Sequence, residues 1–226
     1  MKTPQNHITV TAHSGSMGLP DNSIDAARAG VEAGAEIVEI DLSFLESGDP
    51  VLSHDQPKAE ENPLPLSALF EFLAGHPGVR ANVDVKSTEK LESVAPLARE
   101  YGVLPQIFFT GIGDDFVDAA REKSPEIPRY LNVSLDQARA EEGEYLDSLV
   151  ARVRASGGVG INCNYHGVTS ALVETFRRAG LLVSLWTVNE PEDMERVIAL
   201  RPDNITTRRP DLLVPLLRRC ANLEKL

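Results

Sequence analysis

Residues 38–55, Val-Glu-Ile-Asp-Leu-Ser-Phe-Leu-Glu-Ser-Gly-Asp-Pro-Val-Leu-Ser-His-Asp, decide the fold and locate the chemistry. With a strand's period of two, Val38, Ile40 and Leu42 share one face and Glu39 and Asp41 the other. The apolar face needs a hydrophobic layer, so the acids point into whatever space the strand borders. Unpaired carboxylates there are costly, and a cation is the usual remedy. Ser47-Gly48-Asp49-Pro50 is strong turn chemistry, and residues 51–54 read as a short return strand that carries His54 back towards the acid pair. Two carboxylates, a hard divalent cation and an imidazole in one hairpin are suited to metal-assisted hydrolysis.

The same alternation recurs on both sides of this hairpin. Residues 8–13 form a first strand ending on His13, followed by a loop containing Gly15 and Gly18. Asp21, Asn22 and Ser23 then offer N-cap oxygens to a helix that Gly34 stops. After the hairpin come a proline-rich connection over 56–65, a helix over 66–74 and a strand over 80–86. That strand places Asn82, Asp84 and Lys86 on one face, against Val83 and Val85. Further pairs follow: helix 88–101 and strand 106–110, helix 114–123 and strand 127–133, helix 142–155 and strand 159–164, helix 169–179 and strand 181–188. Helix 191–200, strand 204–208 and a helix from Pro210 complete eight strand-helix units. Such a series in one compact chain predicts an α/β architecture, a (β/α)8 TIM barrel forming one domain over 1–226. Its chemistry belongs at the carboxyl ends of the strands, where His13, Glu39, Asp41, Asp84, Lys86, Asn162, Trp186 and Arg208 all fall.

Bulk properties narrow the partners. The 226 residues carry 34 acids and 22 Lys and Arg, a formal charge of −12, which argues against a surface for the nucleic-acid backbone. Cys163 and Cys220 are too few and too far apart for a disulfide framework or a zinc site. With no apolar leader and no run of the roughly 18 apolar residues a membrane span requires, a soluble cytoplasmic protein is expected. The sequence specifies no oligomeric state. Glycine-rich phosphate loops, dinucleotide fingerprints and nucleophile elbows are absent, so nucleotide cofactors and serine-hydrolase chemistry lose support.

In order along the chain stand Ala12-His13-Ser14-Gly15, Asp21-Asn22-Ser23, Glu39-Ile40-Asp41, His54-Asp55, Asn82-Val83-Asp84-Val85-Lys86, Trp186-Thr187-Val188-Asn189 and Thr207-Arg208-Arg209-Pro210. This series resembles the glycerophosphodiester phosphodiesterase family from end to end. The resemblance implies a TIM barrel in which Glu39, Asp41 and Asp84 hold a divalent cation. It also implies that His13 and His54 act as general acid and base, and that Lys86 contacts phosphate. Three residues depart from the family pattern: Ser14 stands in place of an arginine, Asp84 in place of a glutamate, and Arg208 in place of an aspartate. A fourth departure is an omission, because only 27 positions (82 − 55) separate Asp55 from Asn82, too few for the family's inserted subdomain. The pocket is therefore expected to be open.

Each candidate has a plainer alternative. The acids could be a charged barrel mouth balanced by basic residues, but oxygen-only donors converging from adjacent strands favour magnesium or calcium. His13 and His54 could be structural, yet both arrive at the acids from different elements. Lys86 could merely pair with Asp84 or Asp41. Trp186, on the face of Ser184 and opposite Val183 and Leu185, is expected to line the pocket with Asn162. Arg208 could substitute for the arginine missing at position 14, or it could cap surface acids or turn to solvent, with Arg209 beside it as a competing donor. His7, His76 and His166 read as structural, although His166 follows a strand end and could reach substrate. The expected reaction is metal-dependent hydrolysis of a small glycerophosphodiester-like molecule to an alcohol and a phosphomonoester, sn-glycerol 3-phosphate for the family substrate, in lipid and glycerol metabolism. Two other readings are a non-catalytic binder of phosphorylated ligands and a lyase forming cyclic phosphates from lysophospholipids.

Overall fold

A computed structural model describes residues 7–58 and 61–223. Eight parallel strands close on themselves: β1 (Thr9–Ala12), β2 (Ile37–Phe44), β4 (Arg80–Val85), β5 (Ile107–Ile112), β6 (Arg129–Val133), β7 (Gly160–Asn164), β8 (Leu182–Trp186) and β9 (Asn204–Thr207). Each pairs with the next, and β1 joins both β2 and β9. β3 (Pro50–Leu52) returns antiparallel along the end of β2, with Leu42 opposite Leu52. The helices are α1 (Ile24–Glu32), α2 (Leu66–Ala74), α3 (Val94–Glu100), α4 (Val117–Lys123), α5 (Gly143–Ser156), α6 (Ser170–Ala179), α7 (Pro191–Leu200) and α8 (Pro210–Leu223). The expected (β/α)8 barrel is thus formed. Between Leu52 and Leu66 the described residues contain no further helix or strand beyond an isolated bridge from Val51 to Pro65.

Period-two alternation sorts the side chains. Outward residues of β2, β4 and β5 pack beneath the first helices in a layer that includes Val38, Ile40, Val83 and Phe109, while Leu131, Ile161, Val183 and Ile205 do the same for the second half. Inside the barrel the apolar filling is small. Ile37, Phe108 and Tyr130, with Val159 and Leu182 against them, form a separate cluster. Further along these strands the interior is polar. Asn204 accepts hydrogen bonds from Thr9 and Thr11 and donates to Ser184, at 2.8–3.0 Å.

Several element boundaries differ from those expected. Helix 88–101 begins only at Val94, after a 3-10 turn over Leu91–Ser93. Pro96 lacks an N–H and crowds the carbonyl four residues back, so it fits the first turn of a helix and not its middle. β5 runs on to Ile112 because Gly111, at φ +74, takes up a bulge that shifts its register against β6. His13, Lys86 and Arg208 lie just beyond their strands, where the loops begin. No helix among the described residues is long and apolar enough to cross a membrane.

Candidate active site

The carboxyl ends of the strands surround a cavity of about 440 Å³ that brings together all nine side chains expected to act, His13, Glu39, Asp41, His54, Asp84, Lys86, Asn162, Trp186 and Arg208. Register explains the acid cluster. Glu39 stands opposite Asn82 and Asp41 opposite Asp84 on the paired strands β2 and β4, so three carboxylates on one interior face become neighbours. One ligand oxygen from each of Glu39, Asp41 and Asp84 lies within 4.8 Å of the others.

Each carboxylate is oriented by a protein donor. The Ser14 backbone N–H donates to Glu39 Oε2 at 2.8 Å, Asn22 Nδ2 to Asp41 Oδ2 at 2.9 Å, and Thr110 approaches Asp84 Oδ1 at 2.7 Å. Asn22 also accepts from the Asp41 N–H at 2.8 Å, a double contact that its left-handed backbone, φ 56, allows. Asparagine tolerates that conformation better than most residues. The Lys86 ammonium lies 3.0 Å from Asp41 Oδ1 and 2.5 Å from Asp84 Oδ2. Burial works against its charge, but the Asp84 and Asp41 carboxylates outweigh that and hold it above the ordinary lysine range. Glu39, only 6 % exposed, has its carboxyl held well above the usual range, first by burial and then by the charges of Asp41 and Asp84.

This donor set fits a hard divalent cation. Oxygens bound to one ion at about 2.0–2.6 Å stand no more than about 5 Å apart, which the cluster satisfies. Three carboxylates and one ammonium leave a formal charge of −2 that a divalent ion would neutralise, and oxygen-only ligation is the chemistry of magnesium and calcium.

The two imidazoles differ in setting. His13 Nδ1 lies 2.7 Å from the Ser14 carbonyl and 3.5 Å from Glu39 Oε2. Burial lowers its pKa, the Ser14 carbonyl opposes that, and Arg208 adds to the lowering. His54 follows β3, its side chain 67 % exposed, with Nδ1 at 2.9 Å from Asp55 Oδ1. It borders the cavity from the rim.

Arg208 pairs with a surface acid at the rim of the cavity, as its plainer alternative allowed. Ala12 and Thr207 are register partners on β1 and β9, so His13 and Arg208 follow each other's strand ends, and the guanidinium reaches Asp21 Oδ1 at 2.7 Å. Gly15, at φ +73, makes room for this pair: a Cβ there would stand 2.0 Å from Asp21 Oδ1 and 2.6 Å from Arg208 Nη1. Opposite the acids, Asn162 and Trp186 line the cavity, and Asn162 Oδ1 and Trp186 Nε1 are buried without a protein partner. Cys163 faces away from the chemistry, its thiol pushed up by burial to about 12, so it is no nucleophile at neutral pH.

A family model confirms what the residue order suggested. The model for the glycerophosphoryl diester phosphodiesterase family matches residues 13–61 and 77–212. The chain belongs to this family. Membership carries the reaction class, phosphoric diester hydrolysis. A glycerophosphodiester phosphodiesterase of Caldanaerobacter subterraneus is 24 % identical over 247 aligned positions, covering 93 % of this chain and 98 % of the relative. Human glycerophosphodiester phosphodiesterase 1 is 42 % identical over 53 residues, 23 % of this chain and 16 % of that protein. Among solved structures, a glycerophosphodiester phosphodiesterase from Agrobacterium tumefaciens superposes with a TM-score of 0.73 at 17 % identity, covering 92 % and 99 % of the two chains. A phosphodiesterase of Oleispira antarctica, solved with the product sn-glycerol-3-phosphate, gives 0.69 at 20 % identity, with 93 % and 96 % covered. These structural likenesses speak for the barrel.

Sequence reasoning passed over Asn22, Thr110 and Asn132, which also touch or support this family site. Asn22 looked like one of three cap residues. Thr110 and Asn132 stood on the inner faces of their strands, two positions beyond Phe108 and Tyr130, and that period was the available signal.

Proposed function

We propose that this chain hydrolyses glycerophosphodiester-like molecules to an alcohol and a phosphomonoester, with Glu39, Asp41 and Asp84 holding magnesium or calcium and His13 and His54 moving the protons. The observation that carries this reading is the meeting of three carboxylates and two imidazoles in one cavity at the barrel mouth. When bound, the cation supplies Lewis-acid stabilisation of charge developing on the phosphoryl oxygens. The rest is work for the side chains. His13 donates Nδ1–H to the Ser14 carbonyl, which leaves Nε2 with a lone pair to accept the proton of the nucleophile, whether water or a substrate hydroxyl. His54, at the exposed rim, is placed to protonate the departing alkoxide. Lys86 contacts a non-bridging phosphate oxygen, and Trp186 and Asn162 form the wall against which the remainder of the substrate lies. A charge of −12 and a small open cavity favour a free, cytoplasmic small-molecule diester over nucleic acid.

A panel of glycerophosphodiesters and lysophospholipids with added magnesium or calcium, read by phosphorus NMR, tests the reading. A phosphomonoester that appears only with the cation and disappears with chelator is expected. A cyclic phosphate would assign the lyase reaction instead. Ligand-dependent thermal stabilisation without product would make the protein a binder.

Arg208 supplies the second phosphate contact in this proposal, substituting for the arginine absent at Ser14. Its guanidinium already sits above Gly15, the residue next to Ser14, Ser14 and Arg208 both line the cavity, and two parallel hydrogen bonds to phosphate are beyond a lysine. Arg208→Ala and Arg208→Lys are expected to raise KM for the diester about tenfold, the effect of losing a charge-assisted hydrogen bond or two. Ser14→Arg should partly restore Arg208→Ala. Unchanged kinetics in Arg208→Ala would leave Lys86 as the only basic phosphate ligand.

A further inference from the structure

We propose that Thr110 is a positioning residue for Asp84, set in place by a relay of buried polar groups that crosses four strands; this rests on Asp84 being a cation ligand. Thr110 is 1 % exposed, and its hydroxyl oxygen lies 2.7 Å from both Asn82 Oδ1 and Asp84 Oδ1. One hydroxyl has one proton, so it cannot donate to two oxygens. The charged acceptor makes the stronger bond. The proton therefore goes to Asp84, and Asn82 meets the hydroxyl oxygen with its amide N–H, an orientation assigned from the bonding pattern. Asn82 thus supports the direction in which Thr110 donates.

The position of Thr110 is itself held. Its neighbour Gly111 sits in the bulge of β5, pressed so closely on β4 that a Cβ would stand 2.4 Å from the Val85 carbonyl oxygen and 2.9 Å from Asp84 Oδ1. The Gly111 N–H, freed from the regular ladder, donates to Asn132 Oδ1 on β6 at 3.0 Å. Asn162 Nδ2 on β7 donates to the same oxygen at 3.3 Å. A backbone N–H is an unambiguous donor, so the Asn132 atom facing it is oxygen and the Asn162 atom facing that oxygen is nitrogen.

The consequence lies at Asp84. An aspartate is shorter than a glutamate by one C–C bond and has less reach from the strand. Its side chain is held at both oxygens, Oδ1 by Thr110 and Oδ2 by Lys86. The Thr110 contact turns Oδ2 towards Asp41, with which it shares the Lys86 ammonium. Outer partners that orient a cation's ligands commonly carry about 10- to 100-fold of its affinity.

The test is calorimetric titration with magnesium or calcium alone on the full chain, comparing the wild type with Asp84→Asn, Thr110→Val and Thr110→Ser. Thr110→Val keeps the shape and removes the hydroxyl. It is expected to weaken cation binding about tenfold, with kcat recovering at high cation concentration and the diester KM unchanged once the cation saturates. Thr110→Ser, which keeps the hydroxyl, should bind the cation as the wild type does. If Asp84→Asn loses affinity while Thr110→Val does not, the positioning role is wrong and the cation reading stands. Equal losses in Thr110→Val and Thr110→Ser would assign the effect to the methyl group's packing and overturn the role as well. No cation binding by the wild type would remove both. Should Thr110→Val fail to fold, Thr110→Ala against Thr110→Ser makes the same comparison, and equal affinities there overturn the proposal.

Discussion

Glu39→Gln is expected to abolish measurable cation binding and to lower kcat by at least about 10²- to 10³-fold, the scale of losing a transition-state charge stabiliser, while the melting temperature stays level or rises. The side chain keeps its shape, and its amide oxygen can still accept from the Ser14 N–H. What disappears is one of three carboxylates whose ligand oxygens crowd within 4.8 Å; burial first, and then repulsion from Asp41 and Asp84, hold the Glu39 carboxyl well above the usual range. Such repulsion is stability given up for function. Asp41→Asn is expected to lose binding and activity likewise, though it also takes the charge from the 3.0 Å ion pair with Lys86 and leaves one oxygen for both Lys86 and Asn22, and so has less margin in melting temperature. Calorimetry with the cation, beside a thermal melt, separates loss of charge from loss of fold. Unchanged affinity in both variants would overturn the cation assignment.

His13→Ala and His54→Ala are each expected to cost about 10²- to 10⁴-fold in kcat, the range of general acid-base catalysis. They should differ in one respect. His54 is read as the acid, so a diester with an activated leaving group, which departs without protonation, should restore much of the rate to His54→Ala. His13→Ala should gain little, because its missing step is removal of the nucleophile's proton. Rates across a series of leaving-group pKa values measure this directly. Rescue of His13→Ala instead would exchange the two roles, and equal insensitivity of both variants would remove the division of labour.

Strand and helix periodicity, read residue by residue, was enough for the barrel. Alternation such as Val38-Glu39-Ile40-Asp41-Leu42 commits a strand to one buried face, because a slip of one residue would bury the acids among the helices. Eight such strands separated by helix-length segments have few compact solutions. The same alternation assigned Glu39, Asp41, Asp84, Lys86, Asn162 and Trp186 to the interior, since which face a residue occupies is a local property. The order of motifs supplied the family.

What remained for the tertiary structure was everything that depends on register between strands distant in sequence. That Asp41 stands opposite Asp84, and Ala12 opposite Thr207, follows from hydrogen-bond pairing after the barrel closes, and no period within one strand contains it. Only this pairing brings Arg208 over Gly15 to Asp21, 187 residues away in sequence. The helix over 88–101 was shortened by Pro96, a local rule overlooked in favour of the helical pattern around it. Thr110 and Asn132 were different. Read from the sequence they had no role beyond membership of their strands, and their part became visible only where the Gly111 bulge turned a backbone N–H towards β6 and set the hydroxyl against Asp84. Periodicity states which way a side chain points, and the closed sheet decides what it meets there.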